Sequence, residues 1–363
     1  MPRNQLLQTS YLARYIFLNA VDITDYRVFP NREIQNASPT FRFSQPAGNA
    51  VLDHCVPITL KRSAGETLDQ FLARNGTVAF LVIKNGQVLF EGYYNGYEQA
   101  SICTSFSTVK SFVSALIGIA LHEGLLDSLD DPLTKYIPEA SSPFWQEITI
   151  GHLISMSSGL KYREGGFFPW DDDPRTYYSP DLRQLALSAQ KAEAPGSCFR
   201  YNNYNLILLG MILERVTDGT VSAYLQEKIW KPLSMEFPAS WSLDSEQSGM
   251  EKMESGLNAR ASDFAKFGQL YLRHGEWNGK QIIPESWVIE STTIAPDAKW
   301  NHYKYLWWML RSGKGRYMAA GVLGQFIFIA PDKDCVIVRF GRGKPGKWRM
   351  VYPQLFNALA DSL

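Results

Sequence analysis

The clearest hydrophobic pattern lies in residues 77–96, TVAFLVIKNGQVLFEGYYNG, where two runs rich in β-branched and aromatic residues flank Asn85-Gly86. Asn-Gly suits the positive φ angles of a two-residue turn, so the stretch predicts a β-hairpin centred on Asn85 and Gly86. A different pattern follows in STVKSFVSALIGIALHEGLLDSLDDPL, where apolar residues cover almost every side of a helix from Phe112 to Leu121. A helix without a polar face is a buried helix. Gly124 supplies its stop, and Asp130-Asp131-Pro132 opens the next segment.

Residues 1–60 read as an N-terminal arm: one amphipathic helix, then the Pro- and Asn-punctuated FPNREIQNASPTFRFSQPAG. From about 133 to 260 the pattern is mostly helical pieces, among them LRQLALSAQK, YNLILLGMILERVT and VSAYLQEKIW. Between them REGGFFPWDDDPRTYY is too irregular for a core element, and long aromatic loops of this kind more often carry function. The last third predicts a helix, ARASDFAKFGQLYLRHG, the strands YKYLWWML, RYMAAGVLGQFIFIA and CVIVRFGRG, and a final helix VYPQLFNALADSL. Strands at both ends with helices between imply an α/β fold. The expected form is a mainly antiparallel sheet built from residues 61–125 and 260–363 with flanking helices, plus a helical insertion domain at 126–259.

Composition narrows the function. With 363 residues, 45% hydrophobic and 20% charged, core size is no limit. Lys+Arg 36 balances Asp+Glu 36, and no basic run is dense enough to follow a phosphate backbone, so nucleic acid is not an expected partner. Cys55, Cys103, Cys198 and Cys335 lie far apart with no zinc-ligand spacing; they read as buried thiols, a disulfide in an oxidising compartment staying open. His122-Glu123 lacks the second histidine of a metalloprotease helix, so no metal and no cofactor is expected. No run of about 18 apolar residues marks a membrane span. Arg14 interrupts the apolar N-terminal stretch and no cleavage site follows, so the expectation is a cytoplasmic protein or one whose export signal lies outside this chain. Oligomeric state is not legible.

Candidate chemistry centres on serine. Ser-x-x-Lys occurs three times, at Ser107/Lys110, Ser158/Lys161 and Ser188/Lys191. Ser158 sits at a helix end before Gly159, and Ser188 near the polar end of an amphipathic helix; both read as surface or capping residues. Ser107 begins the buried helix, where positions i and i+3 share a face, so Lys110 points beside its hydroxyl. Burial lowers a lysine's pKa, and a neutral amine accepts a proton from serine. The helix start also offers unpaired N–H groups to a developing oxyanion. An N-cap serine ahead of a snorkelling lysine is the alternative. Tyr201-Asn202-Asn203 precedes another helix, and a phenolate near a lysine could act as base and later protonate a leaving group. Gly321 and Gly324 in the strand YMAAGVLGQFIFIA permit close backbone approach by a ligand, or mark a bulge.

In this order the pieces resemble the serine β-lactamase and penicillin-binding-protein superfamily, whose signature is Ser-x-x-Lys, a Tyr/Ser-x-Asn element and a Lys-Thr-Gly-like strand. FSTVKSFVSALIGIALHEGLLDSLDDPLTKYIPE, LISMSSGL and SGLNARASDFAKFGQLYLRHGEWNGKQIIPESWV look like its class C β-lactamase and esterase branch, most similar to the 6-aminohexanoate-dimer hydrolases. The resemblance covers about residues 75–363. It implies a β-lactamase-like fold, Ser107 as acylated nucleophile, Lys110 as its proton acceptor and Tyr201 as acid/base group. It implies oxyanion donors at the backbone N–H groups of Ser107 and Val322, with Asn203, Gly321, Gly324 and Gln325 facing substrate. Phe167, Phe168, Trp170, Tyr177 and Tyr178 are implied to shape an acyl pocket, the alternative being a hydrophobic plug. Ala319-Ala320-Gly321 stands where β-lactamases carry Lys-Thr-Gly. Without that cation a dedicated β-lactamase is not expected, and a small amide or ester substrate is. A non-catalytic ligand-binding protein on this fold is the rival reading, with weak β-lactamase activity a further alternative. A Ser-His-Asp hydrolase is disfavoured because no Gly-x-Ser-x-Gly is present.

Overall fold

In the computed structural model, residues 10–18, 21–45, 48–296, 298–311, 313–343 and 348–363 are described. The strands are β1 (Asn31–Ile34), β2 (Thr77–Lys84), β3 (Gln87–Tyr93), β4 (Cys103–Thr104), β5 (Ala239–Ser242) and β6 (Leu257–Ala259). Then follow β7 (Glu276–Trp277), β8 (Lys280–Gln281), β9 (Tyr303–Lys304), β10 (Trp307–Met309), β11 (Tyr317–Gly321), β12 (Gln325–Ala330) and β13 (Cys335–Gly341). The main sheet has seven strands in the order β3-β2-β13-β12-β11-β10-β9, every neighbouring pair antiparallel. The hairpin β2–β3 turns at Asn85 (φ 50) and Gly86 (φ 75) as expected, and β13 joins it to the C-terminal strands.

Two expected strands are hairpins instead. RYMAAGVLGQFIFIA divides into β11 and β12, with Val322, Leu323 (φ 63) and Gly324 (φ 85) as the connecting turn. YKYLWWML divides into β9 and β10 at Tyr305 (φ 40) and Leu306 (φ 68). Neither Tyr nor Leu signals a left-handed turn, so these are places where packing overrides local preference. The stretch expected to be helical also contains β5 and β6, which join β1 and β4 in a second sheet of order β1-β5-β6-β4. These strands have two to four residues, too short for a period-2 signal. Through β1, paired with β5, the arm is stitched to the body.

The helices are α1 (Tyr11–Phe17), α2 (Leu68–Arg74), α3 (Val109–His122), α4 (Ile150–Ile154), α5 (Asp172–Tyr178) and α6 (Leu182–Leu187). After them come α7 (Asn203–Val216), α8 (Val221–Leu225), α9 (Ala261–Leu272), α10 (Glu285–Thr292) and α11 (Trp348–Ser362). Residues before 10 in the expected N-terminal helix lie outside the described ones. Alternation along β2 sends Phe80 and Val82 to one face, against Phe71 of α2 and Phe356 of α11. Ala79, Leu81 and Ile83 go to the other face, toward α3 and α9. Both faces of the sheet are therefore covered, which is why β2 reads as a continuous apolar run. Helix α3 is buried from Val109 to Ala120, with Phe112 stacked on Phe267 of α9 at 3.6 Å between ring centres. Cys55, Cys103 and Cys335 are buried, whereas Cys198, against expectation, is only half-buried; all four are free thiols. Among the described residues no helix is long and apolar enough to cross a membrane, and no group of His, Cys, Asp and Glu could hold a metal ion.

Candidate active site

Chain geometry tightens just before α3. Phe106 is buried in a left-handed conformation (φ 46) that a bulky residue adopts only under strain, and a short 3-10 turn, Phe106–Thr108, carries Ser107 to the helix. Ser107 is half-exposed amid buried neighbours, so its hydroxyl is reachable. The capping alternative is not what forms: the N-cap position of α3 is Thr108, and no side chain caps the helix. Lys110 does not snorkel either. It is 1% exposed, with Nζ 2.9 Å from Ser107 Oγ and donating to the Glu254 carbonyl at 2.8 Å. Burial lowers its pKa from the ordinary lysine value to about 8, with Glu254, Asp173 and Glu164 pulling the other way.

Tyr201 completes the group. It stands one residue before Asn202, the N-cap of α7, whose side chain accepts from Tyr204 N at 2.9 Å. Lys110 Nζ lies 5.1 Å from the centre of the Tyr201 ring. Burial pushes the phenol's pKa up, and the Ser107 hydroxyl, a hydrogen-bonding neighbour, draws it partly back. The phenol is thus held protonated in the free protein.

From the sheet side comes Gly321, the last residue of β11. A Cβ there would sit 2.7 Å from Ser105 O and 3.1 Å from Ser107 N, so only glycine lets the strand edge reach the serine's backbone. Val322, next in the chain, is partly exposed at the turn. Gln325, expected to face substrate, is instead fully buried: its Nε2 donates to Val322 O (3.1 Å) and Gly341 O (2.7 Å), and its Oε1 accepts from Gly341 N (3.0 Å). Gly324 likewise serves the turn rather than a ligand, its carbonyl accepting from Arg339. The reason for both is the hairpin, which turns these residues back into the sheet. Asn203 donates to Tyr162 Oη (2.9 Å) and Thr176 Oγ1 (3.2 Å), while its buried Oδ1 has no partner among the described residues.

The aromatic segment divides. Phe167, Phe168 and Trp170 are 79%, 57% and 70% exposed, with Phe168 and Trp170 stacked at 4.9 Å. Tyr177 and Tyr178 lie on α5 and turn inward against the arm. Tyr177 donates to the Asp25 carboxylate, meets Phe29 edge-on at 5.5 Å and lies 6.4 Å from Phe106. Tyr178 is buried edge-on to Tyr15. A helical turn after Asp171, hidden in the irregular-looking run, separates the two sets.

The other serines behave differently from Ser107. Ser188 is an exposed C-cap donating to Leu185 O, as expected, whereas Ser158 is buried rather than at the surface, donating to Asn205 Oδ1 at 2.6 Å. Three neighbours of the site carry no signal of their own in the chain: the Glu254 carbonyl under Lys110, and Trp308 and Tyr303, whose rings lie 5.6 and 6.0 Å from Tyr201. Only the aromatic density of YKYLWWML hints at the last two.

Residues 65–360 match the family model described as Beta-lactamase. The chain belongs to the β-lactamase family. Among curated proteins it is 25% identical over 303 residues to the 6-aminohexanoate-dimer hydrolase of Paenarthrobacter ureafaciens, covering 75% of this chain and 74% of that one. Among solved structures it is similar to a Bacillus anthracis protein assigned provisionally as a 6-aminohexanoate-dimer hydrolase, at TM-score 0.85 and 26% identity over 99% of this chain and 97% of the other. EstCE1, a hydrolase with promiscuous acyltransferase activity, shares the fold at TM-score 0.65 and 17% identity, over 80% of this chain and 96% of its own. The protein is a β-lactamase-fold hydrolase of the serine hydrolase family, related to 6-aminohexanoate-dimer hydrolase.

Proposed function

We propose that this family member cleaves a small amide or ester through an acyl-enzyme on Ser107. The observation that carries the reading is the buried Lys110 amine, 2.9 Å from Ser107 Oγ, with a pKa lowered to about 8. A neutral amine there takes the serine proton as Oγ attacks the substrate carbonyl. The tetrahedral oxyanion is held by the N–H groups of Ser107 and Val322, a pairing supported by the approach of Gly321 to Ser107 N. Tyr201, protonated in its buried setting, gives its proton to the leaving group and regains one from Lys110. Water then attacks the acyl-enzyme, with the same groups acting in reverse.

Substrate class follows from two features. Ala319-Ala320-Gly321 offers no cation to a β-lactam carboxylate, and the named relative is a 6-aminohexanoate-dimer hydrolase, so a small amide or ester fits better than a β-lactam. Phe168 and Trp170, which stand out from the surface, would meet the acyl or leaving portion of such a chain. The test is intact-protein mass spectrometry during exposure to p-nitrophenyl esters of increasing acyl length, with Ser107→Ala alongside. A nitrophenol burst and an acyl adduct on the wild type alone are expected; an adduct on both proteins, or on neither, would overturn the assignment and, in the second case, favour a ligand-binding protein.

A further inference from the structure

Behind the oxyanion turn lies a charge that the mechanism above does not use. Arg339 on β13 is fully buried, and it forms no ion pair among the described residues. Its Nη1 donates to Leu323 O (3.2 Å) and Gly324 O (2.5 Å), Nη2 to Asn75 O (3.0 Å) and Nε to Thr77 Oγ1 (3.0 Å). The guanidinium stacks on Tyr352 of α11, 3.8 Å from the ring centre. Removing a cation from water without a counter-ion is costly, so a fold that needed only a filled space here would do better with an apolar side chain.

What this arginine holds is the turn after Gly321. Each of its three carbonyls is gripped from the sheet side: Val322 O by Gln325 Nε2, Leu323 O by Arg339 and Gly343 N (3.1 Å), and Gly324 O by Arg339. Val322 therefore sits between two fixed peptide planes. The plane before it belongs to Gly321, paired with Gln325 in the ladder, and the plane after it is tied by the Gln325 amide.

We propose that Arg339 and Gln325 are positioning residues which hold the Val322–Gly324 turn so that the Val322 N–H meets the oxyanion. The inference rests on the acyl-enzyme reading and deepens it: neither residue touches substrate, and both act on the tetrahedral state through the turn. It predicts that their loss weakens binding of the transition state rather than of the ground state.

Phenylboronic acid tests this. Ser107 Oγ bonds to boron as its fourth ligand while the hydroxyl proton passes to Lys110, leaving a tetrahedral boronate anion in the oxyanion site. Wild type, Arg339→Met, Arg339→Lys and Gln325→Leu are compared by kcat/KM on a p-nitrophenyl ester and by boronate Ki, each per active site counted with a fluorophosphonate. For R339M both quantities should worsen together by about 100-fold, the scale of losing one oxyanion donor. R339K should fall between it and the wild type, and Q325L should lose about tenfold, with KM nearly unchanged throughout. Wild type that takes up neither probe overturns the acyl-enzyme reading and this inference with it. Wild type that takes up both, with variants altered only in thermal stability or in the number of active sites, overturns the inference alone. Should R339M not fold, R339K and Q325L decide the matter by the same criteria.

Discussion

Two buried lysines stand three residues after a polar partner, one near the start of α3 and one in the first half of α9, and they do opposite things. Lys266 lies 2.9 Å from Asp263, both side chains fully buried, and Asp263 also accepts from the backbone N–H groups of Glu236 and Phe237. Lys110 lies at the same distance from a hydroxyl, Ser107, and forms no ion pair among the described residues. Burial lowers the pKa of both, but in α9 an adjacent carboxylate acts against it, whereas in α3 the nearest polar groups are a hydroxyl and a carbonyl. A carboxylate turns a buried lysine into half of an ion pair; under the proposed mechanism, a hydroxyl leaves it with a proton to take.

The comparison can be broken at its strongest point first. Ser107→Ala should abolish ester turnover, a loss of about 10⁴-fold or more on the scale of nucleophile deletions elsewhere, measured per folded molecule. Lys110→Met should lower acylation by about 10³-fold with the melting temperature kept or raised, because methionine replaces a cation that had no counter-ion. Lys266→Met should do the reverse, destabilising the protein by about 3–5 kcal/mol because Asp263 is left buried and alone, while the molecules still folded react normally. Denaturant titration beside burst kinetics separates the two, and equal effects on rate would end the distinction.

Tyr201→Phe should lower turnover by about 100-fold for an anilide and less for a nitrophenyl ester, whose leaving group needs no proton. The pH profile sharpens the lysine argument. Lys110 accepts a proton only when neutral, so kcat/KM should rise with pH with a midpoint near 8, and Asp263→Asn should leave that midpoint in place. A midpoint near 10.5, the ordinary lysine value, would mean that Lys110 is not the base. Smallest of all, Trp170→Ala should change KM for longer acyl chains by less than about tenfold and leave kcat alone, since this ring is largely exposed.

Much of this architecture was legible before any coordinates. The Asn85-Gly86 hairpin, the all-round apolar α3 with its Gly124 stop, and the assembly of the sheet from both chain ends follow from patterns long enough to be periodic. Ser107 differs from Ser188 in the pattern, a buried helix against the polar end of an amphipathic one, whereas the burial of Ser158 was not legible. Short elements were not legible: β5 and β6 of the second sheet, and the turns at Tyr305-Leu306 and Val322–Gly324, have too few residues for a period or lack the usual turn residues. The inward set of Tyr177 and Tyr178, against the outward Phe168 and Trp170, also depends on a helix of seven residues hidden in an irregular-looking run.

The sequence by itself determined the spacing that puts Lys110 beside Ser107, because i and i+3 share a helical face whatever surrounds them. Only the tertiary structure decided what that pair can do. Lys110 has a lowered pKa because α3 is enclosed by the sheet and its helices, and the serine's N–H meets a strand edge because β11, more than 200 residues later, ends in a glycine against it. Desolvation and backbone approach belong to the assembled molecule, and no local pattern in the chain encodes them.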